Sequence, residues 1–475
     1  MTAKTLVILL DSADPVLIKK WAAEGKLPTI ASMLERGAHR DIENLPGFGS
    51  SVFWASLFTG VDPSCHGREY KDQPRPPSYA VDIFDKHFRS PPFWKRLEEE
   101  GRKVVVFDAP EAPVAGLQKG IEIYDWLSHR RDGPPGSSPP DLINDLMTRF
   151  GDDPLKGNAN MAYRRGMSAE EVARLCSERT EQRTLATKDI LKSRDWDVYM
   201  VNYSEPHDIG HLVWHMHEGG ESATGNADDN PLLRCYRDAD MAIGQLLPLM
   251  ESDGKAFIVL GPGMEPRVTF NSFLPEILRA FQGRQRKSAK RWLSDSATRL
   301  MVSGLLPERV SEALQRLKRK VANKARHSAG QRYFALPNND NAGAVRISLR
   351  GREPDGLVEP GAEYDALCNE IGERLMAIRD ATGEHPIVSE IIKIRSDYDG
   401  PNLDLLPDLF VVWNRNAETA SIRSPDIGTL ENTEFGVRSG DHTQLGMLIS
   451  SEALSETIPP KLDPMGVSRL LTAAI

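Results

Sequence analysis

The chain has 475 residues, of which 40% are hydrophobic and 27% are charged, values that suit a folded protein with a large core and insertions or with two domains. The net charge of -9 argues against a general affinity for nucleic acid, and no apolar run approaches the length of a membrane span. The four cysteines are far apart, which argues against a CxxC zinc motif and a disulfide framework, and without a signal-peptide pattern we expect a cytoplasmic protein.

Strand-like apolar runs that end in polar residues recur along the chain, with helical patterns between them. A capping box, Ser168-Ala-Glu-Glu171, predicts the start of a long helix, and a second helix is predicted from Pro231. This alternation predicts an α/β fold with a mostly parallel central sheet and helices on both faces, in which the carboxyl ends of the strands share one edge. The strand-like runs cover residues 5–11, 103–108, 196–203, 255–260 and 408–413.

Asp11 stands at the end of the first predicted strand, where the backbone leaves the sheet. A carboxylate at the carboxyl end of a strand is well placed to bind a metal ion or to face a phosphate-bearing site. The alternative is that Asp11 caps the next helix, but Asp14 before Pro15 suits that role better, because proline is favoured at the first helical position. We therefore predict a functional role for Asp11.

Two adjacent serines, Ser50 and Ser51, follow a glycine-bearing loop and precede an apolar helical run. A hydroxyl at a helix N-terminus faces unpaired amide groups and the positive end of the helix dipole. That environment can stabilise an alkoxide nucleophile and the phosphoryl oxygens that it attacks. Serine is also a favoured N-cap, and the residues alone favour this structural role over a catalytic one.

His207 and His211 are four residues apart and directly follow the apolar run at 196–203. Imidazoles at this spacing project from one side of a helical turn, close enough to share a divalent ion. His215 and His217 extend the cluster, so a proton relay or a pH-sensitive surface is an alternative. His442, in Ser439-Gly-Asp-His442, is a further candidate that is weaker in isolation.

A basic segment lies between His211 and His442 in the sequence. Residues 279–326 contain fourteen Lys/Arg against three Asp/Glu, in helix-forming sequence. We interpret residues 279–330 as a solvated helical insertion, with contact to an anionic membrane surface as the alternative. It would divide the α/β core into a first part, 1–278, and a second part, 331–475, that carries the last candidate ligand. No pattern indicates an oligomeric state.

Together these segments resemble, in order and spacing, the type I phosphodiesterase/nucleotide pyrophosphatase branch of the alkaline phosphatase superfamily. The resemblance implies a phosphoric ester hydrolase with a two-metal site at the carboxyl edge of its sheet. The matching segments are the strand with Asp11, residues 25–37, residues 50–60, Pro63-Ser-Cys-His-Gly67, His207-x-x-x-His211, Gly351-Arg-Glu-Pro354, Pro407-Asp-Leu409 and Gly440-Asp-His442.

The same resemblance implies roles for the candidate residues. Ser50 would be the nucleophile that forms a covalent phospho-enzyme, with Ser51 as its immediate competitor. Asp11 would bind the ion nearest Ser50. The other ion would be held by three imidazoles, those of His207, His211 and His442. His66 would belong to a structural turn.

This chain departs from the family pattern at two places. His207 replaces the usual aspartate, so that three neutral imidazoles would form a site that suits Zn²⁺. Gly261 and Pro262 replace the aspartate and histidine that bind the ion nearest the nucleophile. We therefore expect one firmly bound zinc ion, and a second divalent ion would need other ligands. The candidates for that role are Asp14, Glu205, Asp208 and Glu265.

The resulting prediction is a metal-dependent hydrolase that acts on a small phosphorylated substrate, more readily a diester than a monoester, with no specific nucleic-acid partner. One alternative is a protein of the same fold that binds an anionic or phosphorylated ligand without hydrolysing it, which Gly261 and Pro262 would explain. A sulfatase or a phosphonate-cleaving enzyme is a further alternative, because members of one fold differ in substrate.

Overall fold

The computed structural model describes residues 4–83, 89–129, 133–156, 159–164, 166–217, 230–284, 330–432 and 438–475. Apart from its two ends, the basic segment predicted over 279–330 lies outside the described residues.

The strands are β1 Thr5–Leu10, β2 Ala38–Glu43, β3 Asp72–Pro74, β4 Val81–Ile83, β5 Val104–Phe107, β6 Ile121–Tyr124, β7 Gly136–Ser138, β8 Val198–Tyr203, β9 Lys255–Leu260, β10 Met264–Pro266, β11 Tyr333–Leu336, β12 Ala342–Ile347, β13 Arg379–Asp380, β14 Val388–Lys393, β15 Leu409–Trp413, β16 Ser421–Ser424, β17 Gly428–Glu431, β18 Gly440–His442, β19 Leu445–Ser450 and β20 Lys461–Leu462. The helices are α1 Pro15–Ala23, α2 Pro28–Arg36, α3 Ser50–Thr59, α4 Pro63–His66, α5 Phe93–Glu99, α6 Leu142–Phe150, α7 Ala159–Arg164, α8 Ala169–Ser193, α9 Glu205–Val213, α10 Pro231–Leu246, α11 Leu274–Phe281, α12 Ala362–Met376, α13 Ile394–Asp397 and α14 Pro464–Ala474.

The central sheet has nine strands in the order β20-β2-β19-β9-β1-β8-β5-β6-β7. Its middle strands, from β9 to β6, are parallel. Strand β1 is apolar on both faces because helices cover both: Leu6 and Ile8 belong to one core, and Val7 and Leu9 to the other. A continuous apolar run is what a strand buried on both faces requires. The predicted α/β fold with a mostly parallel sheet is confirmed.

Two predicted helices begin where their caps indicate. Ser168 accepts from the Glu171 amide while the Glu171 side chain accepts from the Ser168 amide, so the capping box opens α8 as predicted. Asp14 caps α1 by accepting from the Val16 and Leu17 amides. Asp11 is therefore not needed as a helix cap.

One predicted strand belongs to a different sheet. The run at 408–413 forms β15, which lies in an antiparallel sheet of order β11-β12-β15-β14 rather than in the central sheet. The residues of β15 are largely buried between two further apolar clusters. A buried antiparallel strand therefore gives the same continuous apolar run as a buried parallel strand, and the run alone could not distinguish them.

The carboxyl edge of the central sheet has unusual backbone geometry. Ser12, Asp108 and Asp125 follow strands β1, β5 and β6, and all three have positive φ values, of 58°, 51° and 57°. Such values are uncommon for residues other than glycine and are found most often at functional sites. In the ranges that the structure describes, no helix combines the length and the apolar composition that crossing a bilayer requires.

Candidate metal centre

Three histidine side chains converge above the carboxyl ends of β1 and β8. His207 and His211 project from α9, directly after β8, and His442 comes from β18. Their potential ligand atoms all lie within 4.8 Å of one another. The ring centroids are 4.8 Å apart for His207 and His211 and 4.9 Å apart for each of these with His442. All three are buried. The structure brings the side chains of His207, His211 and His442 together, as the sequence predicted.

The close approach of β18 to α9 depends on backbone contacts. The Ser439 amide donates to the His211 carbonyl over 2.8 Å, and the His211 Nδ1 lies 2.8 Å from the Gly440 carbonyl. Gly440 has no side chain, and a Cβ there would lie 2.5 Å from the Gly210 carbonyl oxygen. These contacts fix the ring of His211, because its Nδ1 is used and its Nε2 remains as the ligand atom.

Asp11 lies directly beside the histidine cluster. Its Oδ2 is 3.1 Å from the His207 Nδ1. The Ser12 hydroxyl lies 3.2 Å from the Asp11 Oδ1, 3.3 Å from the His207 Nδ1 and 3.2 Å from the His442 Nδ1. A carboxylate that contacts the far nitrogen of a ligating histidine orients the ring and raises its basicity. Asp11 and Ser12 therefore connect β1 to both histidine segments.

A fourth histidine, His129, was missed in the sequence. It follows the short strand β6, and its Nδ1 lies 3.4 Å from the Asp11 Oδ2. Its ring stacks on that of His207 with 4.2 Å between the centroids. Asp11, His129 and His207 form a second group whose potential ligand atoms lie within 4.8 Å. Strand β6 has four residues and was too short to identify in the sequence. A histidine soon after the end of a strand was the signal that could have pointed to His129.

The pKa values of the clustered side chains are shifted in different directions. Burial alone would raise the pKa of Asp11, but His207, His129 and His442 lower it below its ordinary value. Burial alone would lower the pKa of His207, but Asp11 raises it. Burial, together with the Arg438 cation and neighbouring histidines, lowers the pKa of His211, and burial lowers that of His442 to about 3. His211 and His442 are therefore neutral at pH 7, which is the form that binds metal.

The two predicted nucleophile candidates differ in their surroundings. Ser50 is the first residue of α3 and is partly exposed. The Ser51 hydroxyl is buried and donates to Glu111, which also accepts from the Arg68 Nη2 over 2.5 Å. Helical hydrogen bonds in α3 begin at the Val52 amide, so the Ser50 and Ser51 amides come before the first of them.

Buried arginines on α8 support the helix that carries His207 and His211. The Arg183 Nη1 lies 2.8 Å from both carboxylate oxygens of Glu205, the first residue of α9, and its Nη2 donates to the Leu127 carbonyl near His129. Arg179 donates to Asp208 over 2.8 Å. Glu205 and Asp208, two of the residues considered as further metal ligands, are thus bound in ion pairs.

The donor set suits a metal ion. The cluster has three buried imidazoles whose nitrogen atoms could bind one ion, and a carboxylate that contacts one of these rings. Zinc prefers nitrogen and oxygen donors of this kind. The side chains of the cluster are buried, so a bound cation would act strongly on nearby anionic groups. The parallel sheet with a histidine centre at its carboxyl edge defines an α/β protein with a candidate metal centre.

The sequence matches the family of type I phosphodiesterases/nucleotide pyrophosphatases over residues 5–441. The chain therefore belongs to this family, and it is a metal-dependent hydrolase of phosphoric esters. No curated protein sequence matches it significantly.

Solved structures with a similar fold share little sequence. Two structures of phosphonoacetate hydrolase from Sinorhizobium meliloti 1021, with phosphonoacetate and with phosphonoformate, have TM-scores of 0.60 and identities of 15% and 16%, and each alignment covers 100% of this chain and 96% of that one. An inactive variant of murine ectonucleotide pyrophosphatase/phosphodiesterase 5 with AMP has a TM-score of 0.50 and 12% identity over 99% of this chain and 94% of that one. At such identities the likeness shows the fold alone.

Proposed function

We propose that the chain hydrolyses phosphoric diesters with Ser50 as nucleophile and one Zn²⁺ ion held by His207, His211 and His442. The observation that carries the proposal is the convergence of the three imidazoles from two remote segments of the chain. When bound, the ion would supply Lewis-acid stabilisation of the negative charge on the phosphoryl oxygens.

The position of Ser50 on α3 supports the proposed role. It lies four residues before Trp54 on α3, so the two side chains share one face of the helix, one turn apart. The Trp54 indole contacts Asp11, which places this face of α3 toward the histidine cluster. The unpaired amides at the start of α3 provide hydrogen-bond donors for phosphoryl oxygens. Ser51, the next residue of α3, donates its hydroxyl to Glu111 instead.

The proposed reaction has two steps that balance. In the first, the Ser50 Oγ bonds to phosphorus while the bond from phosphorus to the leaving oxygen breaks, and the proton of the Ser50 hydroxyl leaves with the alcohol. In the second, water attacks the phosphoserine, the Oγ–P bond breaks, and the Ser50 hydroxyl is restored. The net change is one diester and one water converted into one alcohol and one monoester.

The preference for diesters follows from the sparse positive charge at the site. A diester carries one negative charge and a monoester carries up to two at neutral pH, so a centre with a single ion compensates the diester more completely. Phosphonates are a second substrate class to test, because phosphonoacetate is bound in a protein of the same fold.

A comparison of serine variants tests the proposal. The zinc-loaded protein is assayed with an aryl phosphodiester, an aryl phosphomonoester, an aryl sulfate and phosphonoacetate. Ser50→Ala should lower kcat for the preferred ester by at least about 10³-fold, whereas the matched control Ser51→Ala should keep kcat within about tenfold. Loss in Ser51→Ala alone would transfer the role to Ser51.

The non-hydrolytic alternative gives a different result. If the protein only binds a phosphorylated ligand, none of the four substrates is turned over after zinc reconstitution, and Ser50→Ala leaves the affinity for the ligand unchanged. That pair of results would refute the hydrolytic proposal. The cytoplasmic location, the small phosphorylated substrate without a nucleic-acid partner and the contact of residues 279–326 with an anionic membrane remain predictions from the sequence.

A further inference from the structure

We propose that this protein works with a single metal ion and that the Trp54 indole takes the place of a second ion beside Asp11. The inference rests on the proposed function, since it concerns the metal content of the same centre. It goes beyond that function because it assigns a role to a tryptophan and explains why residue 261 carries no ligand side chain.

Both oxygens of the Asp11 carboxylate already have partners. The Oδ1 accepts from the Trp54 Nε1 over 3.1 Å and from the Ser12 hydroxyl over 3.2 Å. The Oδ2 lies 3.1 Å from the His207 Nδ1 and 3.4 Å from the His129 Nδ1. The carboxylate is buried, and Trp54, Ser12 and His207 supply the hydrogen bonds that a buried anion requires, while His129 adds an electrostatic contact. An ion on Asp11 would have to displace at least one of them.

The Trp54 indole also fills the space beside residue 261. A Cβ built on Gly261 would lie 2.7 Å from the Trp54 Cζ2, closer than real Cβ atoms approach other atoms. An aspartate at this position, as the family resemblance implies for the ligand, therefore cannot coexist with the indole in its present place. Glycine at 261 and tryptophan at 54 are complementary.

The indole is held firmly in that place. Trp54 is 1% exposed. Its ring stacks on Phe58 with 5.7 Å between the centroids and meets the edge of Phe53 at 5.0 Å. All three aromatic side chains belong to the core on one face of the central sheet. Moving the indole to admit an ion would therefore disturb this core.

The residues that could replace the missing ligands have other partners. Asp14 accepts from the amides at the start of α1, and Glu265 pairs with Arg415. Glu205 and Asp208 pair with the arginines of α8. Among the described residues, only one further ligand candidate remains beside Asp11, and that is His129. Asp11 and His129, together with the shared His207, are a poor second site, because His207 already belongs to the first.

Metal stoichiometry tests the inference without any activity assay. The protein is stripped with a chelator, loaded with excess zinc or manganese, passed through a desalting column and analysed for metal. The wild type should retain one equivalent, and His129→Ala should retain the same. His442→Ala should retain less than about a tenth of an equivalent, because a two-histidine remnant binds weakly.

A variant that reopens the second position provides the converse test. Trp54→Ala/Gly261→Asp/Pro262→His removes the indole and restores both missing ligand types, and it should retain two equivalents. If this variant does not fold, the wild-type value still decides. Two equivalents in the wild type that fall to one in His129→Ala would overturn the inference and assign a second ion to Asp11 and His129. No retained metal would refute the histidine centre of the proposed function and this inference with it.

Discussion

Substitution of Arg183 by methionine should strongly destabilise the fold. Arg183 is fully buried and lies 2.8 Å from both carboxylate oxygens of Glu205, which is also buried. At that distance and an effective dielectric constant of 20, the attraction between the two charges is about 6 kcal/mol, and desolvation offsets much of it. Removing the guanidinium leaves the buried Glu205 carboxylate with the more distant Arg179, at 4.0 Å, in place of its closest charge partner, which costs about 3–5 kcal/mol.

A double-mutant cycle measures this effect. The free energy of unfolding is determined by denaturant titration for Arg183→Met, Glu205→Met and the double variant. The double variant should be more stable than either single variant, because it has no orphaned charge in the core. The control is Arg174→Met on the same helix, whose partner Glu178 is exposed, and it should change the free energy by no more than about 0.5 kcal/mol.

Two results would refute this reasoning. A loss below about 1 kcal/mol in Arg183→Met would mean that the pair behaves like an exposed ion pair. Additive losses in the double variant would mean that Arg183 and Glu205 are not coupled. If Arg183 also positions the helix that carries His207 and His211, Arg183→Met should weaken zinc retention in the protein that remains folded. The reason is that Arg183 connects the start of α9 to the Leu127 carbonyl near His129.

Three other predictions follow from the described contacts and from the sequence. Burial lowers the pKa of His66 to about 3. The stability that depends on neutral His66 is therefore complete above about pH 6.5 and should fall by about 1.4 kcal/mol per pH unit on acidification toward pH 3. His66→Gln should flatten the pH dependence of the free energy of unfolding between these values, whereas the control His39→Gln, at an exposed histidine, should not. Free zinc at about a thousand times its Kd should stabilise the chelator-stripped wild type by about 4 kcal/mol and leave His442→Ala unchanged, as measured by denaturant titration. If the basic segment contacts an anionic membrane, deletion of residues 284–327 should abolish binding to anionic liposomes at low salt while turnover of a small diester persists. Unchanged liposome binding would favour the solvated insertion.

The sequence predicted the elements that carry the site because their signals are local. The capping box of α8 and the spacing of His207 and His211 both depend on residues within one helical turn. The fold class followed from strand and helix alternation, which is also a sum of local signals. From the residues alone His442 was a weaker candidate, because its position in the chain gives no hint of where it packs. The family resemblance grouped it with His207 and His211.

The remaining features depend on packing that no local pattern encodes. His129 contacts Asp11 although it follows β6, which lies three strands from β1 in the central sheet. Neither the strand order nor this contact can be read from a local pattern. In the sequence, Trp54 is an aromatic residue of an apolar helical run, which indicates a core position. The structure shows in addition that its Nε1 lies beside Asp11. Sheet membership of β15 was missed for the same reason.

The departure from the family pattern at Gly261 has a physical explanation in Trp54. A buried carboxylate such as Asp11 needs either a cation or several hydrogen-bond donors, because an unpaired charge in the interior is costly. The indole and the Ser12 hydroxyl supply donors at one oxygen, and imidazoles face the other. Since α3 carries Ser50 one turn before Trp54, the helix that presents the hydroxyl also compensates the charge of Asp11. A side chain at residue 261 and an indole at residue 54 exclude each other, so a change at one position constrains the other.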